Sequence, residues 1–464
     1  MARFSSLSAL PLALVCGCGG AVDPADMRPS VVLISLDTLR ADHMSLHGYE
    51  RETTPYLEKL AEESLVFDQA YSVAPWTLIS HVTMLTGLYP EQHGIVTDDL
   101  ALSPEIPYLA QRLSDFGYQT VGLYRPGFVG PRFGQDRGFD VFLDHTSAVE
   151  AEVNLVRELA ELDRDRPFFL FLHITDCHGD PVRDADDILY DAPPPFDTMF
   201  MADARERLKD CDYRVVAGAA LRRAMKDGTA KRGRLSPEHL EATVAMYDGK
   251  IRYVDTVLEE WIEGWRRDGL MDNTLVVITS DHGEGLGQRG GSLTGHGQMW
   301  QEGLHIPLIV RFPDGYRGGE RDGNVASLVD VVPTILDVTD LPPDGRLAGY
   351  SLRRELPPDR VVGAFRGTSY ARVQLPWKVQ GATRRKKLQV TGVYNLTDDP
   401  LELASIPKAD EDFERITKML DEAYQAELAS RPAFEGADPI PAVAETEAML
   451  EELEALGYGG GDED

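Results

Sequence analysis

Apolar residues in this chain gather in short unbroken runs, separated by stretches whose apolar positions recur at helical spacing. "SVVLISL" (30 to 36) is rich in β-branched residues, as expected of a strand covered on both faces. Similar runs occupy 120 to 124, 167 to 174, 273 to 280 and 306 to 312. Between them, 105 to 116, 149 to 162 and 236 to 268 read as helices. "TTPYLEKLAEES" reads as another, with Thr53 or Thr54 as cap, Pro55 in the first turn, and Leu57, Leu60 and Ala61 on one face. Alternating strand and helix predicts an α/β fold with a mostly parallel central sheet sandwiched by helices.

Residues 179 to 235 are rich in Asp, Pro and Arg with weak periodicity and read as an insertion. Short strands around 361 to 395 predict a small C-terminal antiparallel α+β subdomain. Helical periodicity returns at 410 to 428 and 443 to 456, before a frayed "GYGGGDED" end. The expected organisation is a leader at 1–18, a linker at 19–29, a main domain at 30–350, the subdomain at 351–405 and a helical tail at 406–464.

Composition narrows the function classes. With 464 residues and 43% apolar positions, the chain can bury a large core. A net charge of -31 argues against a nucleic-acid partner, and the one basic run, "RRKK" at 384 to 387, reads as a solvated hairpin. The first residues carry one Arg, an apolar run from Leu7 to Val15 and small residues before a Cys, the pattern of an export signal. That run is too short to span a bilayer, which takes about 20 apolar residues. Its "VCGC" ending resembles the lipobox of bacterial lipoproteins, with Cys18 as the lipidated residue, although ordinary signal-peptidase cleavage is the alternative. The expected location is outside the cytoplasm, with membrane contact only through a lipid at Cys18. Cys177 and Cys211 could pair there.

In an open parallel sheet, ligands sit beyond the carboxyl ends of the strands. Three runs end in candidate ligands: Asp37; Asp281 with His282; and His173, Asp176 and His178. Asp37, Asp281 and His282 together offer two oxygen donors and one nitrogen donor. That set suits one divalent ion, with Ca²⁺, Mg²⁺, Mn²⁺ and Zn²⁺ all open. "APWTLISHVTMLTGLYP" (74 to 90) places Thr77 at the start of a helix. There it is either a nucleophile, activated by a metal and flanked by backbone N–H groups, or merely the helix N-cap. His81, a turn later, is either an acid or base or a surface residue.

A resemblance adds to this. "SVVLISLDTLRADHMSLHGYERETTPYLEKLAEESLVFDQAY", "TLISHVTMLTGLYPEQHG", "TSDHGEGLGQRG" and "HIPLIVRFPDG" resemble, in order, the hallmarks of the sulfatase branch of the alkaline phosphatase superfamily. "LVDVVPTILDVTDLPPDGRLAGYSL" and "VYNLTDDPLELASI" look like its later landmarks. The resemblance implies an alkaline-phosphatase-like fold and a hydrolase of sulfate or phosphate esters. It implies Asp37, Asp281 and His282 as metal ligands, with Thr77 joining them at the nucleophile position. His178 would hold the substrate's oxyanion or protonate the leaving group, and His296 would contact substrate. Arg125 is the candidate replacement for the lysine of the family's "GKWHLG" segment.

The departures redirect the chemistry. Sulfatases carry a Cys or Ser that becomes formylglycine, and Thr77 cannot become that aldehyde. Thr38, Ile79 and His81 stand where the family has a second metal Asp, a Pro and an Arg. A Thr nucleophile with this ligand set is similar instead to the phosphoethanolamine and glycerophosphate transferases of the superfamily. These pass through a phospho-threonine with one catalytic metal. The expectation is therefore cleavage of a small-molecule, glycan or lipid anionic ester, with phosphate esters or phosphodiesters favoured. The alternatives are an arylsulfatase-like sulfuric ester hydrolase or an inactive exported anion-binding protein.

Overall fold

The computed structural model describes residues 27–180, 187–209, 211, 234–289, 295–384, 387–434 and 437–443. The leader, Cys18, the helix expected at 443 to 456 and much of the 179 to 235 stretch lie outside the described residues.

The larger sheet has eight strands: β1 (Ser30–Leu36), β2 (Leu65–Tyr71), β4 (Gln119–Tyr124), β5 (Val141–Asp144), β6 (Phe168–Ile174), β7 (Thr274–Thr279), β8 (His305–Arg311) and β9 (Arg321–Ser327). A two-residue strand, β3 (Leu100–Ala101), pairs apart from it with β14 (Ile440–Pro441). The order across the large sheet is β5-β4-β6-β1-β7-β8-β2-β9. Only β8 runs against the rest, pairing antiparallel with both β7 and β2. The sheet is thus mostly parallel with one reversed strand.

Every residue of β1 is buried. Val31 and Leu33 enter one core with the helix Thr77–Thr86 and the helix Val331–Val338. Val32, Ile34 and Leu36 enter the other, with the helix Ala148–Ala160 and the 31-residue helix Pro237–Arg267. The two-residue period of a strand feeds both layers, and burying each such side chain stabilises by about 1.5–3 kcal/mol. A charge at Ile34 would therefore disrupt the layer built with the helices Ala148–Ala160 and Pro237–Arg267, at the strand on which the site is built. Helix boundaries shift slightly from expectation: the helix predicted over 105 to 116 begins only at Leu109, beyond Pro104 and Pro107.

A four-stranded antiparallel sheet follows, β10 (Val362–Arg366), β11 (Ser369–Gln374), β12 (Trp377–Arg384) and β13 (Lys387–Asn395). Arg384 pairs with Lys387 across β12 and β13, while Arg385 and Lys386 lie outside the described residues. The helix Glu411–Ala429 packs Ile416 and Leu420 against Tyr370, Val379 and Val393 of this sheet. The small sheet joins the main body directly, as the Phe365 amide donates to the Val73 carbonyl at 2.8 Å.

Candidate active site

β6, β1 and β7 are neighbours in register, Ser35 lying beside His173 on one side and Thr279 on the other. Their carboxyl ends therefore deliver Asp37, Asp281 and His282 to one place. All three are at most 2% exposed, and one ligand atom from each lies within 4.8 Å of the others. Local backbone holds them. Gly283 is required here, since a Cβ would come within 2.1 Å of the Glu302 carbonyl oxygen. Thr38 adopts φ 60°, a left-handed conformation that costs a β-branched residue about 1–3 kcal/mol. It is retained by the Tyr247 hydroxyl, which donates to the Thr38 carbonyl at 2.8 Å.

One oxygen of each carboxylate is occupied and the other is not. Asp281 Oδ1 accepts from the amides of Thr38 (3.2 Å) and His282 (2.8 Å). Asp37 Oδ2 meets His173 Nε2 at 3.0 Å. Asp37 Oδ1 and Asp281 Oδ2 are buried without a hydrogen-bond partner. Orphaned buried carboxylate oxygens are costly and call for a ligand, so the donor set fits a divalent cation. Burial and the charge of Asp37 push the Asp281 carboxyl above its usual range. At Asp37, burial also works upward, but the His173 hydrogen bond and the surrounding imidazoles outweigh it and hold that carboxyl low.

Thr77 is the first residue of its helix and not its cap. The N-cap is Trp76, in extended conformation and making no side-chain capping bond. The cap reading therefore fails on position: a capping side chain reaches forward from the residue before the first turn. Thr77 Oγ1 instead lies 3.2 Å from His282 Nε2. His282 Nδ1 donates to the Gly283 carbonyl at 2.9 Å, which leaves Nε2 as the lone-pair nitrogen facing the hydroxyl.

His81 is completely buried, so its reading as a surface residue is corrected. Nδ1 donates to the Thr77 carbonyl at 2.8 Å, and the ring centroid lies 4.4 Å from that of His173. Burial depresses its pKa well below 6.5, which keeps the imidazole neutral. It packs beside the centre, with Nδ1 3.7 Å from Asp281 Oδ2. His93, in the "YPEQHG" motif, is also structural: Nδ1 accepts from the Ile95 amide and Nε2 meets Thr83 Oγ1, both at 3.1 Å.

His178, Arg125, Thr77 and Asp37 line one cavity together with Lys250, a residue that nothing in its helical pattern singles out. Lys250 Nζ donates to the His178 carbonyl (2.9 Å) and to Asp180 (2.7 Å). Arg125 donates to the Thr146 carbonyl. His296 sits between His178 and His282, with ring centroids at 5.4 and 4.9 Å. Burial lowers its pKa to about 4. Also missed in the sequence is Arg366 of β10, whose guanidinium lies 3.5 Å above the Trp76 ring. The small sheet thereby places a cation beside the residue preceding Thr77. No local signal in the chain announces this contact, which depends on docking the two sheets.

A strand-end cluster of acids and imidazoles around a helix-borne hydroxyl, on a parallel sheet, defines a hydrolase of the sulfatase type. Residues 29–341 match the sulfatase family model, and the chain belongs to that family. Among its relatives, the arylsulfatase of Clostridium perfringens is 24% identical over 391 residues, covering 70% of this chain and 78% of that protein. The N-acetylglucosamine-6-O-sulfatase of Bacteroides thetaiotaomicron is 21% identical over 417 residues, covering 75% and 74%. The fold is also that of the phosphonate monoester hydrolase of Agrobacterium radiobacter, with a TM-score of 0.67 at 20% identity over 90% of this chain and 100% of that one. Among the described residues, no helix is long and apolar enough to cross a membrane.

Proposed function

We propose that this sulfatase-family hydrolase cleaves phosphate monoesters or diesters through Thr77, at a centre formed with Asp37, Asp281 and His282. The observation that carries this reading is the 3.2 Å approach of Thr77 Oγ1 to His282 Nε2, beside two carboxylates with orphaned oxygens. Asp37, Asp281 and His282 would hold one divalent ion, with Thr77 Oγ1 as a further ligand. Such an ion supplies positive charge that eases ionisation of a hydroxyl and polarises the ester.

Thr77 Oγ1 gives up its proton to solvent and attacks phosphorus. The Oγ1–P bond forms as the bond from phosphorus to the leaving oxygen breaks. Free N–H groups in the first turn of the helix Thr77–Thr86 receive the non-bridging oxygens. His178 or His296, whose rings are neighbours, would protonate the leaving oxygen, and Arg125 would contribute a cation to the cavity it lines with His178. Water then cleaves the phospho-threonine and restores the hydroxyl. Formylglycine chemistry is not open to a Thr side chain, which is why phosphorus is preferred to sulfur. The substrate is a small-molecule, glycan or lipid anionic ester, met outside the cytoplasm by a protein anchored through Cys18.

The test is a panel of aryl phosphates, phosphodiesters, phosphonates and aryl sulfates, run with the parent chain and Thr77→Ala. Turnover of the phosphorus esters is expected, abolished in Thr77→Ala with metal content unchanged, and a phospho-threonine is expected in rapidly quenched protein. Wild-type rates in Thr77→Ala would remove the nucleophile assignment. Turnover confined to aryl sulfates would make the chain a sulfuric ester hydrolase. No turnover on any class would favour an inactive anion-binding protein.

A further inference from the structure

The loop that leaves β6 carries His178, and a helix much later in the chain holds it. Lys250, in the middle of the helix Pro237–Arg267, is 5% exposed. Its ammonium donates to the His178 carbonyl at 2.9 Å and to Asp180 Oδ2 at 2.7 Å. A lysine is seldom buried this far, because desolvating the ammonium costs free energy that one ion pair offsets only in part. The Asp180 side chain is itself 37% exposed, so solvent weakens its attraction. Stability alone is a poor account of a lysine at this position.

The grip bears on the orientation of the imidazole. The start of the loop is pinned by local bonds: the His178 amide donates to the Thr175 carbonyl, and Asp176 Oδ2 accepts the Ala148 amide, both at 2.9 Å. Lys250 then takes the oxygen of the peptide that leads into Gly179. His178 Nδ1 donates to the Gly179 carbonyl at 2.8 Å, so the ring is fastened to the peptide next to the one the ammonium holds. Tyr247, one turn earlier on the same helix, serves the end of β1 alike. Its hydroxyl donates to the Thr38 carbonyl at 2.8 Å and accepts the Arg40 amide at 3.1 Å. Residues three apart share a helix face, so one face holds both strand-end loops, that beside Asp37 and that of His178.

We infer that Lys250 is a positioning residue for His178, holding the His178–Gly179 backbone so that the imidazole keeps one place in the cavity it lines with Thr77. The hold on the ring stands apart from the proposed chemistry. Its effect on turnover rests on the reading of His178 as an acid for the leaving oxygen. A reacting group misplaced by about 1 Å loses on the order of 100-fold in rate, so a lysine acting only through the backbone can govern that step.

The experiment labels histidine Cε1 with carbon-13 in the full chain and follows the His178 ring signal by NMR, assigned with His178→Gln. The parent, Lys250→Met and Asp180→Asn are compared, alongside turnover of an aryl phosphate. In Lys250→Met the ring signal should move or split, and kcat should fall by about 10–100-fold with KM and metal content little changed. Asp180→Asn removes the ion pair and leaves the carbonyl contact, so its signal should stay and its kcat should remain within about threefold. Lys250→Arg, which keeps a donor, should recover most of both. Circular dichroism checks folding; should Lys250→Met not fold, Lys250→Gln, one bond shorter, takes its place. A ring signal unmoved in the lysine variant would overturn the inference. Equal losses in Lys250→Met and Asp180→Asn would overturn it too, leaving Lys250 as one half of an ion pair. A moved ring with unchanged kcat would keep Lys250 as the anchor and remove His178 from the leaving-group step. Absence of turnover in the parent would remove the proposed reaction, and the ring signal then decides the inference alone.

Discussion

Nε2 of His173 lies 3.0 Å from Oδ2 of Asp37, an imidazole from β6 gripping the carboxylate that ends β1. The contact follows from strand pairing, since Leu36 is in register with Ile174 and Asp37 donates its amide to the Ile174 carbonyl at 2.8 Å. His173 thereby occupies one Asp37 oxygen and leaves the other without a hydrogen-bond partner.

Removing that grip should loosen the ion proposed at this centre. His173→Ala is expected to weaken divalent-ion binding there by about 10–100-fold, the usual effect of losing a partner that orients a ligand. Chelator competition at neutral pH measures it, and His173→Gln should restore part of the affinity. Unchanged affinity in His173→Ala would show that Asp37 needs no orientation from β6.

His93 sets a pH dependence of folding. Burial depresses its pKa from 6.5 to about 3, and Nδ1 already accepts from the Ile95 amide, so protonation would break that bond. A depressed value means the stability is present above pH 6.5 and is lost as the pH falls toward 3. Between pH 6.5 and 5 the share due to His93 is about 2 kcal/mol. His93→Asn, whose amide oxygen can replace Nδ1 as acceptor, should flatten that slope in urea titrations run across the window. An unaltered slope would assign the acid sensitivity to other buried imidazoles.

Arg360 and Asp330 form a buried two-pronged ion pair, Nη1 to Oδ2 at 2.6 Å and Nη2 to Oδ1 at 2.7 Å. Asp330 also accepts the amides of Ser327 and Tyr350, so it joins the end of β9 to the segment leading into the small sheet. Arg360→Ala strands this carboxylate. A loss of about 3–5 kcal/mol is expected by urea unfolding, with little change in metal content. A loss below about 1 kcal/mol would mean that water replaces the guanidinium.

Lipid attachment at Cys18 is tested by fractionation. Cys18→Ala should move the protein from the membrane to the soluble exported fraction without altering activity. An unchanged membrane fraction would rule out that residue as the anchor.

Much of this architecture is legible in the chain because its signals are local. β1, β6 and β7 are apolar runs buried on both faces, and Asp37 and the Asp281–His282 pair stand where those runs stop. β9, with the sequence RDGNVAS, shows no such run because it is an edge strand, with burial concentrated in its last three residues. The reversed direction of β8 leaves no mark either, since a buried strand reads alike in both senses.

By itself, the sequence determined the alternation of strands and helices, the strand-end acids and the hydroxyl that opens a helix, each set by the period of its own element. Only the tertiary structure decided that His173 grips Asp37, that Lys250 holds the His178 carbonyl, and that Arg366 covers Trp76. Those contacts join residues from different strands, helices and loops, and their partners are chosen by sheet order, by helix packing and by the docking of the small sheet.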